Sequence, residues 1–336
     1  MKHRLSAAFA AALSVLPLLT GCGSQQQSSA MPETGSVTAE TADTTEPAAS
    51  SADFEITDPF QYEAGKPEIT DNREGVKDVF FYRDGIRIRG QLFVPKGKGP
   101  FPTVVLCSGM TVSFTNYNDE AEKFAANGYA AVVFDFIGAV QNNIAGRGSG
   151  GEPTEYSVLT EAKDLNVILD SLSALPKVDP DKVFLFGHSL GGLVATYIGC
   201  RRPDDIRGVM LVEPGYPFPD EASKYIDGEA NGDFSQIPET VTNFGSVVGR
   251  IFLTDIYDFD IYRYMPECRK DVLIFLGTQN SLGVDHREYF DRAEQAFPSA
   301  EVKVIEGADH NFQGAHGEQM TDECLLFLRK HLADGA

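Results

Sequence analysis

Five short runs in this chain are apolar at nearly every position: PTVVLC (102–107), AAVVFDF (130–136), KVFLFG (182–187), GVMLVE (208–213) and VLIFLG (272–277). A strand with one wet face alternates apolar and polar residues, so uninterrupted runs belong to strands covered on both faces. Helical patterns follow most of them: NDEAEKFAANG, SVLTEAKDLNVILDSL, LGGLVATYIGC and HREYFDRAEQAF, with TDECLLFLRKHL after a last strand EVKVIEG. The alternation predicts an α/β chain, a doubly wound, mostly parallel sheet whose ligands bind at the carboxyl ends of its strands. Ahead of it, VFFYRDGIRIRGQLFVP carries Asp84-Gly85 between two alternating runs, a hairpin signal.

Two segments precede the fold. Residues 1–21 open with the basic MKHR and continue with an apolar core of signal-peptide length, too short to span a membrane comfortably. They end in Leu19-Thr20-Gly21-Cys22, which resembles a bacterial lipobox, so Cys22 is expected as the lipid-bearing first residue of an exported, membrane-anchored chain. Residues 22–58 follow as an acidic, disordered tether, with seven acids and no Lys or Arg after Cys22. The remainder, 59–336, is read as one α/β domain, with no internal repeat and no second linker.

The formal charge is -21, and losing Lys2 and Arg4 with the signal makes it -23. That balance argues against nucleic acid and anionic lipid as partners, and against polyanionic substrates. No CxxC pair or metal-ligand spacing occurs among Cys22, Cys107, Cys200, Cys268 and Cys324. A Cys268–Cys324 disulfide is compatible with export. Between Glu213 and Val272 the rhythm of strand and helix stops, and about fifty aromatic-rich residues, 214–265, are expected to cap the strand ends.

Gly187-His188-Ser189-Leu190-Gly191 matches G-x-S-x-G. It directly follows the run VFLF and directly opens a helical run, the strand, sharp turn and helix that hold a serine exposed for attack. A hydroxyl needs a base. His188 is inside the turn, His331 is on the terminal helix and His286 opens another helix. His310 follows EVKVIEG in the loop GADHNF, at a strand's carboxyl end like Ser189, and is the expected base, with His316 less well placed. The oxyanion would be held by the backbone N–H of Leu190 and by that of Met110, in the loop Ser108-Gly109-Met110 after VVLC.

With these residues the chain resembles the α/β-hydrolase fold, and within it cinnamoyl and feruloyl esterases and the serine aminopeptidase-like group. The likeness rests on GHSLGG, GRGSGGEPTEYSVLTEAKDL, FLTDIYDFDIYRYM before VLIFLGT, and EGADHNF. It implies hydrolysis of a small-molecule carboxylic ester, less often an amide, through an acyl-enzyme on Ser189, with no cofactor and no metal. Two positions depart from the family. Ser108-Gly109 stands where relatives have His-Gly, and Gly277-Thr278-Gln279-Asn280 stands where the pattern G-T-x-D places the catalytic acid. Three residues remain candidates to orient His310: Asn280 by position, Asp285 as the next carboxylate, and Glu213 at the end of the preceding strand. Asp285 with Glu288 also forms a capping box, which competes for its side chain. An aminopeptidase-like amidase and a ligand-binding lipoprotein without turnover are the alternatives.

Overall fold

The computed structural model describes residues 54–139, 148–243, 246–279 and 287–333. Eleven strands are seen among them: β1 (Ala64–Arg73), β2 (Val76–Arg83), β3 (Ile86–Phe93), β4 (Phe101–Cys107), β5 (Ala130–Phe134), β6 (Val178–His188), β7 (Gly208–Val212), β8 (Thr240–Asn243), β9 (Ser246–Gly249), β10 (Val272–Gln279) and β11 (Ala300–Asp309). Nine of them form one sheet in the order β1-β2-β3-β5-β4-β6-β7-β10-β11. The five apolar runs became β4, β5, β6, β7 and β10, and with β11 they pair in parallel.

The Asp84-Gly85 hairpin forms as read, with Arg83 opposite Ile86 and both turn residues at positive φ, 52° and 78°. β1 was not expected. It pairs antiparallel on β2 at the sheet edge, and its mostly exposed side chains leave no apolar alternation to read. The chain is also already on the domain at Phe54, ahead of the predicted tether boundary at residue 58, because the Phe54 ring meets Phe234 edge-on at 5.5 Å.

The helices are α1 (Asn118–Ala126), α2 (Val158–Ser171), α3 (Leu190–Arg201), α4 (Pro217–Glu229), α5 (Ile251–Thr254), α6 (Arg287–Ala296) and α7 (Ala315–Ala333). Strand residues alternate between two cores. Val105, Leu185, Leu211 and Ile274 face α2, α3 and the cap, while Leu106, Phe186, Val212 and Phe275 face α1 and α7. The central strands are therefore covered on both faces, which is why their runs are apolar at nearly every position.

Residues 214–265 form the expected insertion above the strand ends, with α4, the hairpin β8–β9 (Thr240 opposite Gly249) and α5. Its aromatics pack onto the domain: Phe252 lies 5.4 Å from Tyr156 and 6.3 Å from Phe218, and Tyr216 lies 5.9 Å from Phe290. Asp255 fixes it further, accepting the backbone N–H of Thr57 and the hydroxyl of Ser157, the residue that caps α2.

Candidate active site

Ser189 sits between the last residue of β6 and the first of α3 with φ 53° and ψ -122°. A residue with a Cβ is strained there by roughly 1–3 kcal/mol, so the surroundings must hold it. They do so through its backbone. Its N–H donates to the Val212 carbonyl at 2.9 Å, and its carbonyl accepts N–H bonds from Gly192, Leu193 and Gly215 at 2.9, 3.2 and 2.7 Å.

The turn closes only because its neighbours lack side chains. A methyl group on Gly187 would lie 2.6 Å from the Gly191 carbonyl oxygen, and one on Gly191 2.3 Å from that of Ser108. The Ser108 contact also presses the loop after β4 against the start of α3. Gly109 completes the approach, since a methyl group there would meet the Ser189 Cβ at 3.3 Å. The backbone of Met110, the expected second oxyanion donor, is thus in the loop that abuts the serine, and Leu190 opens α3 beside it.

His310 directly follows β11, and its ring lies 5.0 Å from that of His188, between centroids. The sequence reading set His188 aside as pointing away. Its ring joins three loops. Nε2 meets the His310 carbonyl at 2.8 Å, and a carbonyl can only accept, so the proton is on Nε2. Nδ1 then accepts from the Tyr117 hydroxyl at 2.7 Å, and the Tyr117 oxygen accepts the Gly109 N–H at 3.1 Å. The series links the Gly109 loop, the Ser189 turn and the His310 loop. Burial lowers the His188 pKa and keeps the ring neutral, as this pattern needs. Tyr117 was missed by the sequence reading; it stands at the start of α1 with no motif to mark it.

Of the three candidates to orient His310, Asn280 and Asp285 lie outside the described residues. Glu213 is described. It ends β7 at φ 42°, is 4% exposed, and accepts the Gly277 N–H at 2.7 Å. Burial pushes its carboxyl up to about 7. A strained, buried carboxyl at the strand ends, between the elbow strand and β10, has the marks of a functional group.

The signal end and Cys22 also lie outside the described residues. Among those described, no helix is long and apolar enough to cross a membrane, and no cluster of His, Cys, Asp or Glu could hold a metal ion. A cavity of about 1070 Å³ near Arg73, Glu122 and Lys177 lies at the amino ends of the parallel strands, away from Ser189.

Known proteins share this arrangement in part. The family model described as Serine aminopeptidase, S33 matches residues 98–231. Esterase FrsA of Escherichia coli O157:H7 is 31% identical over 131 residues, covering 39% of this chain and 29% of that protein. The chain thus spans under a third of the length of the curated relatives it matches. Among solved structures, Est1E from Butyrivibrio proteoclasticus with ferulic acid bound superposes with a TM-score of 0.65 at 20% identity, over 76% of this chain and 99% of that one. Acetyl xylan esterase 1 from Thermoanaerobacterium sp. JW/SL YS485 gives 0.58 at 17% identity, over 79% and 88%. The fold is that of the α/β-hydrolases, as the sequence predicts.

Proposed function

We propose that this protein is a serine hydrolase that cleaves carboxylic esters outside the cytoplasm, anchored by lipid on Cys22. The observation that carries the reading is the geometry at Ser189, a strained serine between β6 and α3 with the Gly109 loop against its Cβ and the His310 loop tied to the same turn. Esterase relatives support the ester over the amide. The location rests on the lipobox-like sequence alone.

In this mechanism His310 takes the proton as Ser189 Oγ attacks the ester carbonyl, and the N–H groups of Met110 and Leu190 receive the developing oxyanion. Collapse expels the alcohol, protonated by His310, and leaves an acyl group on Ser189. Water activated by the same histidine then releases the acid. The cap, through Phe218 and Phe252, shapes the space for the organic parts of the substrate.

Asn280 follows β10 at the family's acid position, and in a serine protease Asn in place of that Asp lowers kcat by about 10⁴. Glu213 is the second reading, favoured by its strain and burial. Incubation with p-nitrophenyl acetate and a fluorophosphonate probe tests the whole proposal. Ester cleavage and labelling are both expected to vanish in Ser189→Ala, and labelling elsewhere would refute it. Asn280→Asp should raise kcat by about tenfold or more if position 280 orients His310, whereas Glu213→Gln should lower it by a similar factor if Glu213 does.

A further inference from the structure

Four cysteines of the domain are buried and carry no disulfide in this structure: Cys107, Cys200, Cys268 and Cys324. The pairing of Cys268 with Cys324 that the sequence allowed is blocked by the sheet. Cys268 belongs to the core on the α3 side, whereas Cys324 belongs to the core on the α7 side, where its sulfur lies 3.7 Å from that of Met320.

Cys268 has another neighbour. The segment that returns from the cap to β10 runs along α3, with Tyr264 and Phe259 at 4.9 and 5.3 Å from Tyr197 and the Glu267 carboxylate 3.5 Å from the Arg201 guanidinium. Tyr197 and Arg201 are one helical turn apart, and Cys200 lies on the same face between them. Glu267 faces Arg201, so the next residue, Cys268, comes to rest beside Cys200 in the same core. Both residues are 1% exposed. The nearness of the two thiols lowers that of Cys268 and raises that of Cys200, and the Cys268 Sγ donates to the Lys270 carbonyl at 3.7 Å.

We propose that Cys200 and Cys268 are a disulfide-forming pair that fastens the return end of the cap to the helix beginning at the nucleophile. The oxidant is an external disulfide, either a small molecule such as oxidised glutathione or a protein disulfide donor, and the bond forms by exchange during folding. The Cys268 thiolate attacks one sulfur of the donor and expels the other as a thiolate. The Cys200 sulfur then attacks Cys268 and expels the second donor thiolate. Two cysteine thiols lose two electrons, the donor disulfide gains them, and the two protons pass to the departing thiolates.

The bond would close a loop that contains the whole cap, so opening of residues 257–268 from α3 would be restrained in the oxidised protein and free in the reduced one. This is distinct from the chemistry at Ser189, and its occupancy in cells rests on the exported location proposed above. The pairing itself does not.

The test is oxidative refolding of the full chain from urea in a glutathione buffer, followed by alkylation of free thiols in denaturant, intact mass and peptide mapping. A parallel sample of native protein, never unfolded, is incubated with oxidised glutathione. The expected product is lighter by two hydrogens, has lost two alkylation sites, and yields one linked peptide pair carrying Cys200 and Cys268, with Cys107 and Cys324 alkylated. Complete alkylation of Cys200 and Cys268 in both samples, or a link from Cys268 to any other cysteine, overturns the proposal. A chain that closes this bond in the tube but comes from cells fully reduced supports the pairing and counts against export.

Discussion

At the scale of single residues, the site depends on a side chain that touches neither substrate nor nucleophile. Tyr117 donates to His188 and accepts from Gly109, so it ties the oxyanion loop to the turn that carries Ser189. Replacing it with Phe removes both bonds and leaves the Gly109 N–H unpaired. Tyr117→Phe is expected to lower kcat by about tenfold with KM little changed, because a loss of 1–1.5 kcal/mol falls on the donors that act in the transition state. Steady-state kinetics with matched circular dichroism checks this, and a change confined to KM would assign Tyr117 to substrate binding.

His188 adds a pH effect. Its pKa is lowered in the fold by burial, so the unfolded chain binds its proton more readily, and this contribution to stability is intact above the unfolded value near 6.5 and is lost as pH falls below it. Urea midpoints measured from pH 8 to 5 should fall, and the fall should be smaller in His188→Gln. The positions of Ser189 at the turn after β6 and of His310 after β11 were legible because motif and strand context mark them. Tyr117 and the tautomer of His188 were not, since they depend on contacts between residues 71 and 122 positions apart.

At the scale of elements, α2 shows what the apolar runs leave unsaid. It carries two buried carboxyls three residues apart, Glu161 and Asp164. Asp164 is 2.8 Å from the Arg83 guanidinium and accepts the Ile137 N–H at 2.8 Å, while Arg83 also donates to the Thr160 carbonyl. These contacts fasten β2, the end of β5 and α2 into one unit beside the cap. Removing the cation leaves Asp164 buried with its charge uncompensated, so Arg83→Met is expected to destabilise the fold by about 3–5 kcal/mol in urea unfolding.

Glu161 behaves differently. Burial, with Asp164 nearby, raises its carboxyl well above the usual range, so the fold holds it protonated. A raised folded pKa gives stability that is complete below the unfolded value and declines as pH rises toward the folded one. Glu161→Gln, which keeps the shape of the neutral acid, is expected to leave stability at pH 5 within about 1 kcal/mol and to raise it at pH 8. An equal change at both pH values would show that Glu161 does not titrate differently on folding. The sequence reading predicted this helix from its pattern without resolving its charges. It placed β4 to β7 and β10 because dry strands announce themselves, and it missed β1 because an edge strand without apolar alternation does not.

For the whole molecule, the place where the chain leaves the domain relates anchor to site. Phe54 packs on Phe234 of the cap and lies under the Arg250 guanidinium, 5.7 Å from ring centre to cation. The first described residue is therefore held against the cap. If lipid on Cys22 is the only attachment, chemistry and location are separable. Cys22→Ala is expected to move the protein from the membrane to the soluble fraction, since no other described element can span a bilayer as a helix. It should leave kcat/KM for a soluble ester within about twofold, because the proposed chemistry uses Ser189 and His310 and gives Cys22 no part. Fractionation of cells expressing each form, with p-nitrophenyl acetate assayed in both fractions, measures the two effects together. Retention of the variant in the membrane would mean a different anchor, and loss of activity on release would mean that the bilayer takes part in opening the cap.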